Sequence, residues 1–288
     1  MNNAKRILVT GGAGFIGSHL CERLVREGHE VISLDNYSTG SQSNHIDGVT
    51  YIKGHTKDVA DLVTDKVELV FHLGEYARVE QSFEDIATVI DSNISGTAAV
   101  LEFVRAGGAK LIYAGSSTKF ADAGIGKDQS PYAWTKASNT SLVQRYGDWY
   151  GINYAITYFY NVYGPRERSD SHSGTLIAIF ADKCAKKEKL TVRRPGTQRR
   201  NFTHVFDIVE GLLLVGERGE GDEYGLGHSD SYSVLEVAEL FGGEVEMLEE
   251  RPGNRMTSSV DVHRALLELG WKPKYNLPDY IASLTEPL

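Results

Sequence analysis

Tyr132 and Lys136 stand four residues apart in the run SPYAWTK (130–136), and Ser116, Ser117 and Thr118 follow one another a short way upstream. A phenol is a poor base at neutral pH because it ordinarily keeps its proton to about pH 10. A fixed ammonium nearby favours the phenolate, and a spacing of four places two side chains on one helical face. With a hydroxyl to bind the reacting oxygen, such a pair can take the proton from an alcohol. Alone, the spacing is also what helices show by chance, so the elements around it decide.

RILVT (6–10) reads as a buried strand, GGAGFIG as a turn, and SHLCERLVREG as a helix with Leu20, Leu24 and Val25 on its apolar face and Gly28 at its end. EVISLDN (30–36) is a second strand, and strand, turn, helix, strand is a right-handed βαβ unit of a parallel sheet. Gly11, Gly14 and Gly17 open the helix, with Phe15 and Ile16 between the last two, as a diphosphate-binding turn requires. Asp35 lies 24 residues after Gly11 (35 − 11), beside Asn36, where a carboxylate accepts bonds from a ribose diol and repels a 2′-phosphate. NAD is therefore expected, rather than NADP.

The alternation continues through strands at 49–54, 69–74, 110–115 and 153–160, with helices at 91–106 and 132–150. This predicts an α/β fold, a doubly wound parallel Rossmann sheet over residues 1–165, to which some later segments return. Residues 166–288 predict a smaller C-terminal α/β lobe, with helices near 174–187, 204–216, 233–241 and 261–270 and a basic loop at 193–202.

The chain has 288 residues, 41% hydrophobic and 24% charged, with a formal net charge of −9. That argues against a broad nucleic-acid-binding surface while leaving room for a local basic pocket. Cys21 and Cys184 have no metal-ligand spacing and read as free thiols of a reducing cytoplasm. The glycines break the first apolar run, which argues against an export signal, and no run reaches the ~18 apolar residues of a membrane span. His204 and Asp207 in THVFDIV read as structural groups at a helix start rather than metal ligands.

In order along the chain, VTGGAGFIGSHL, FHLGEYARVEQS (71–82), NISGTAAVLEF (93–103), AGSSTKF (114–120), SPYAWTK and YNVYGPRE (160–167) resemble the extended short-chain dehydrogenase/reductase family of nucleotide-sugar epimerases and dehydratases. TQRRNFTHVFDIVEGL (197–212) and RPGNRMTSSVD (251–261) extend the resemblance over almost the whole chain. It implies oxidation of a sugar C4 alcohol, with NAD as hydride acceptor, Tyr132 as base, Lys136 as its helper and ribose contact, and Ser116 or Ser117 as the third member. Leu73 and Asp58 would also border the cofactor, and two helices, about 91–106 and 132–150, would pair subunits into a homodimer.

Several residues depart from that pattern. Where sugar-dehydrating relatives carry an Asp-Glu pair, this chain has Ser117 and Thr118, which argues against a 4,6-dehydratase. The loop 121–129 is short, so that Tyr132 lies 16 residues after Ser116 (132 − 116). His55 replaces the usual adenine-binding Asp, and Tyr158 replaces a common Arg. Glu75 and Tyr76 occupy a small-residue stretch, with Arg78 just beyond. They would sit beside nicotinamide and sugar, where Glu75 either accepts bonds from substrate hydroxyls or points to solvent.

The resemblance further places Thr118, Asn161, Arg200 and Arg251 on the substrate, with the arginines suited to a diphosphate by their planar fork. Arg193, Arg194 and Arg199 read as a solvated loop. The first expectation is thus a nucleotide-sugar 4-epimerase, which returns the hydride to the other face. The alternative is a C4 dehydrogenase or reductase that releases or uses the 4-keto sugar. A non-catalytic NAD-binding protein is disfavoured, because both Tyr132 and Lys136 are retained.

Overall fold

The computed structural model describes residues 4–118, 126–170, 174–249 and 260–285. Seven strands form one parallel sheet: β1 (Arg6–Thr10), β2 (Glu30–Asp35), β3 (Val49–Lys53), β4 (Leu69–His72), β5 (Lys110–Ser116), β6 (Tyr154–Phe159) and β11 (Gly221–Leu226). Their order is β11-β6-β5-β4-β1-β2-β3. The chain winds outward from β1 through β2 and β3, then crosses to β4 and winds the other way. That reversal opens a crevice at the carboxyl ends of β1 and β4, where ligands of such sheets bind.

Helices α1 (Phe15–Arg26), the short α2 (Val59–Leu62) and α3 (Ile86–Val89), α4 (Gly96–Gly107) and α5 (Pro131–Tyr150) supply the crossovers. The expected helix 91–106 begins differently, since Ile90–Ser95 winds as a π-helix before α4. A π-turn pushes one residue out of register, and here it turns Asn93 inward. Helix α5 starts where its sequence says: Ser130 accepts a hydrogen bond from the Ala133 N–H at 3.1 Å, Pro131 occupies the first turn, and Gly151 ends it left-handed at φ 67°.

Beyond residue 160 come β7 (Val162–Tyr163), α6 (Leu176–Ala185), β8 (Leu190–Arg193), β9 (Arg199–Asn201), β10 (Thr203–His204), α7 (Val205–Arg218), β12 (Ser231–Ser233), α8 (Val234–Phe241), β13 (Val245–Leu248), α9 (His263–Leu269) and α10 (Leu277–Thr285). The basic stretch 193–202 therefore contains a strand, and Arg199 is tied to Glu236 at 2.9 Å instead of lying free in water. Two apolar clusters flank the sheet. One joins Ile7, Val9 and Phe71 to Ile208, Leu212 and Trp271, and the other joins Leu8, Val70 and Leu111 to Val100, Val104 and Val143. A third, around Phe180, Val192, Phe202 and Phe241, holds α6, α8 and α10 together.

Tyr158, without a role from sequence, donates to Asp222 Oδ1 at 2.6 Å and so ties β6 to β11. Among the described residues no helix is long and apolar enough to cross a membrane.

Candidate active site at the carboxyl end of the sheet

The crevice is a cavity of about 310 Å³. Gly11, Gly14, Phe15, Ile16 and Gly17 line one end with Asp35 and Asn36; Leu73, Glu75, Tyr76, Arg78, Tyr132 and Lys136 line the other. The glycine turn is tight because it must be. A Cβ on Gly17 would sit 2.1 Å from the Gly11 carbonyl oxygen, and Gly11 itself holds φ +75° against Gly74. No side chain caps the N-terminus of α1, whose first N–H groups therefore remain available to an anion at the positive end of the helix dipole.

Asp35 closes the turn from beside it. Its Oδ2 accepts from Ala13 N at 2.9 Å and its Oδ1 from Tyr37 N at 2.8 Å. Burial raises its pKa, and the two N–H donors oppose that rise. The carboxylate keeps lone pairs for a ribose diol. An uncapped helix end on a glycine cradle with a carboxylate at the end of β2 fits NAD, and these residues would hold it.

At the reacting end, Lys136 reaches from α5 into the sheet. Its ammonium donates to the Ala114 carbonyl and to Glu75 Oε2, and it lies 4.5 Å from the centre of the Tyr113 ring. Both charged side chains are buried, 6% and 3% exposed. Glu75 Oε1 accepts from Asn139 Nδ2 at 2.8 Å, Thr97 Oγ1 at 3.0 Å and Tyr113 OH at 3.1 Å. Burial would raise the Glu75 pKa, but the Lys136 charge outweighs it and holds the carboxyl below its ordinary range. Glu75 therefore does not face solvent, which corrects that expectation, and its oxygens accept from protein donors.

The network runs on to β1. Thr10 Oγ1 accepts the N–H groups of Leu73 (3.1 Å) and Gly74 (2.9 Å), which leaves its own proton for His72 Nδ1 at 2.8 Å. The neutral ring then carries its proton on Nε2, toward Thr97 Oγ1 at 3.0 Å. Complete burial lowers the His72 pKa to about 4, so the ring is neutral near pH 7. The inward-turned Asn93 holds the loop that carries Glu75: its Oδ1 accepts from Tyr76 N at 2.7 Å and its Nδ2 donates to Tyr76 O at 3.1 Å.

The hydroxyl cluster is internally bonded. Ser116 Oγ accepts from Thr118 N at 3.3 Å and from Thr118 Oγ1 at 3.0 Å; both residues are buried beside Ala114 and Gly115, which line the cleft. Ser117 follows, partly exposed. Tyr76 lines the cleft while its hydroxyl donates to Asp85 at 2.8 Å. Arg78 lines it too, with no ion-pair partner among the described residues; burial and then the neighbouring Arg168 charge lower its pKa.

Other expected site residues lie elsewhere. Asp58 is exposed on the turn Thr56–Asp58 and does not line the cleft, where Gly54 and Thr56 do so instead. His55 caps that turn by accepting from Lys57 N at 3.1 Å. Asn161 spends its amide on Asn201 O at 2.8 Å, Arg200 sits on β9 with its guanidinium on Arg199 O, and neither lines the cleft. Arg251 lies outside the described residues. His204 accepts from Phe206 N at 3.2 Å and Asp207 from Lys274 N and Tyr275 N, and the described residues contain no metal-like cluster.

Sequence reasoning missed Thr10, His72, Thr97, Tyr113 and Asn139. Only Asn139 carried a signal, since positions 132, 136 and 139 follow one helix face.

Comparison with known proteins agrees with this geometry. The sequence pattern of the NAD dependent epimerase/dehydratase family matches residues 7–227. The chain is 31% identical to UDP-glucuronic acid decarboxylase 6 of Arabidopsis thaliana, over 98% of this chain and 88% of the relative. Its fold superposes on UDP-glucose 4-epimerase with UDP-glucose from Thermotoga maritima at a TM-score of 0.90, 28% identity and 97% of each chain. The Thermus thermophilus UDP-glucose 4-epimerase complex with NAD matches at a TM-score of 0.86, 30% identity and 96% of each chain.

Proposed function

The chain belongs to the NAD-dependent epimerase/dehydratase family, and on that premise we propose that it is an NAD-dependent nucleotide-sugar 4-epimerase. Bound NAD supplies a hydride acceptor that can give the hydride back. Tyr132, in the cleft lining one turn from Lys136, takes the proton of the sugar 4-hydroxyl and later returns it to O4 on the other face. The Lys136 ammonium favours the phenolate, and Ser116 or Ser117 binds the reacting oxygen.

The observation that carries this reading is the disposition of the carboxylates. Among the described residues two line the cleft, Asp35 bound to the glycine turn and Glu75 bound to Lys136. Hydroxyls occupy 116–118. Elimination of water across C5 and C6 needs a second acid–base group at the sugar, whereas oxidation and re-reduction at C4 need one.

Arg78 favours a second reading, a uronic-acid substrate. In a 4-keto uronic acid the C6 carboxylate is β to the ketone. CO₂ then leaves with its bonding electrons passing into the enolate at C4–C5, and C5 takes a proton afterwards. That step needs a cation to hold the carboxylate and no base to start it, and the decarboxylase relative is consistent with it. Incubation with UDP-glucose, UDP-galactose and UDP-glucuronate, followed by NMR of the sugar, tests both. A C4 epimer supports the first reading, a pentose the second, and an accumulating 4-keto hexose refutes both in favour of a released ketone.

The same reading places the enzyme in the cytoplasm as a homodimer. Cys21 and Cys184 are free, and Phe83, Ile86, Trp149 and Tyr150 expose apolar surface around α3 and the end of α5. Light scattering at micromolar concentration distinguishes a dimer from a 32-kDa monomer.

A further inference from the structure

An ammonium and a carboxylate buried together at the floor of a catalytic cleft are costly to desolvate, and neither supports the fold unless the other is present. Here the pair has more than itself. Glu75 is held by three further donors from three elements, Thr97 on α4, Tyr113 on β5 and Asn139 on α5. Its loop is clamped by Asn93. The carboxylate is thus fixed before Lys136 meets it, and among the described residues Lys136 has one charged partner.

We propose that Glu75 is a positioning residue for the C4 chemistry: its carboxylate keeps the Lys136 ammonium charged and fixed one turn from Tyr132. The proposal rests on the assignment of Tyr132 and Lys136 as the proton-handling pair, and on neither reading of the final product.

The need for such a residue follows from what surrounds the lysine. Lys136 is buried against a phenol ring and a carbonyl, where an unpaired ammonium gives up its proton. Bound NAD brings a positive ring to the same cleft, which disfavours a second cation further. The titratable groups facing the pair are few. From β4 comes His72, neutral near pH 7; from β5 comes Tyr113, whose phenol burial keeps protonated; from α5 comes Tyr132. Among the described residues these leave Glu75 as the group that supplies negative charge at Lys136.

The decisive variant is Glu75→Gln, nearly isosteric. Lysines selectively labelled with ¹³C at Cε report the charge of Lys136 by NMR, with assignment from Lys136→Arg. In Glu75→Gln the signal is expected to change to that of a neutral amine at a lower pH than in the native protein, by about 3 pH units, the scale seen for buried lysines. The kcat/KM profile should follow. Glu75→Gln should stay within a few-fold of the native enzyme at pH 6 and lose about tenfold per pH unit above the new midpoint. Glu75→Asp, which keeps the charge, should recover the alkaline activity in part.

An unshifted lysine signal in Glu75→Gln, or a uniform loss of activity with an unchanged pH profile, overturns the proposal. Should Glu75→Gln fail to fold, the native titration still decides, because a Lys136 that is neutral by pH 8 beside an ionised Glu75 also overturns it. Unchanged turnover in Tyr132→Phe defeats the underlying assignment instead, so the two failures are distinct.

Discussion

Gly17→Ala is the sharpest test of the cofactor end. The added methyl carbon would lie 2.1 Å from the Gly11 carbonyl oxygen, 2.8 Å from its carbon and 2.9 Å from Gly12 Cα. Carbon and oxygen approach favourably to about 3.3 Å, so the turn must open by roughly 1.2 Å. All three colliding atoms are backbone, and no rotamer change relieves them. Overpacking of this kind costs about 1–3 kcal/mol.

Where that cost falls decides the readout. Without ligand the turn can open, held by the Gly14 N–H to Gly11 O bond at 3.1 Å and by Asp35. An open turn no longer aims the α1 N–H groups at a diphosphate. The loss should therefore fall mainly on NAD affinity, about 5- to 150-fold, with the apo protein melting a few degrees lower. Gly28→Ala is the control. Its φ of +86° makes alanine strained, but its Cβ meets nothing within 4 Å and the residue lies at the far end of α1. It should cost about 1 kcal/mol of stability and leave NAD binding alone. Calorimetric titration of NAD into both variants, beside their melting curves, measures each effect. Native affinity in Gly17→Ala, or equal losses in both variants, would refute the assignment of this turn to the cofactor.

Tyr132→Phe should lower kcat by about 10²- to 10⁴-fold with NAD affinity intact, read from turnover and titration on the same sample. Asp35→Asn removes an acceptor for Ala13 N or Tyr37 N and the negative charge, so NAD should bind about tenfold more weakly and discrimination against NADP should narrow, measured as the ratio of the two dissociation constants. Glu167 accepts from Gly164 N and Thr175 Oγ1, yet burial raises its pKa to about 7 from an ordinary 4.5. Its acid form is the one the fold favours, so its stabilising contribution is full below pH 4.5 and is lost as pH rises through 7. Glu167→Gln should accordingly raise Tm relative to the native protein at pH 8 by a few degrees and show no gain at pH 5.

What the sequence disclosed is what local spacing encodes. The glycine turn, the Ser130-Pro131 start of α5 and the Tyr132–Lys136 face each depend on neighbours within about six residues, and all are legible by inspection. Strand β11 was not: GDEYGL carries two charges and two glycines, and it is a strand because β6 offers it an open edge. The partners of Glu75 lie 22, 38, 61 and 64 residues away, and nothing local links them. Asp58 lies off the cleft lining for a related reason. Its place in the chain is near the adenine end, but the turn from Thr56 to Asp58 points Thr56 inward and leaves the carboxylate in water.

The same contrast bears on how one sheet serves several reactions at a sugar C4. The hydride end needs a diphosphate cradle, a diol acceptor and a phenol–ammonium pair, and these come from β1, α1, β2 and α5. What distinguishes one outcome from another is which further groups are free to reach C5 and C6. In this chain, among the described residues, the cleft carboxylates are already engaged, one by backbone N–H groups and one by a lysine. A charged residue in a small-residue stretch would ordinarily suggest a new contact to the substrate. Here the extra carboxylate is turned inward onto the Lys136 ammonium, and Arg78 lines the cleft with no ion-pair partner among the described residues. Among the described residues the carboxylates of this cleft are Asp35 and Glu75, both engaged, and its cations are Lys136, paired with Glu75, and Arg78. That leaves no unengaged carboxylate among the described residues of the cleft, and the proposed oxidation and re-reduction at C4, without proton removal at C5, rests on that arrangement.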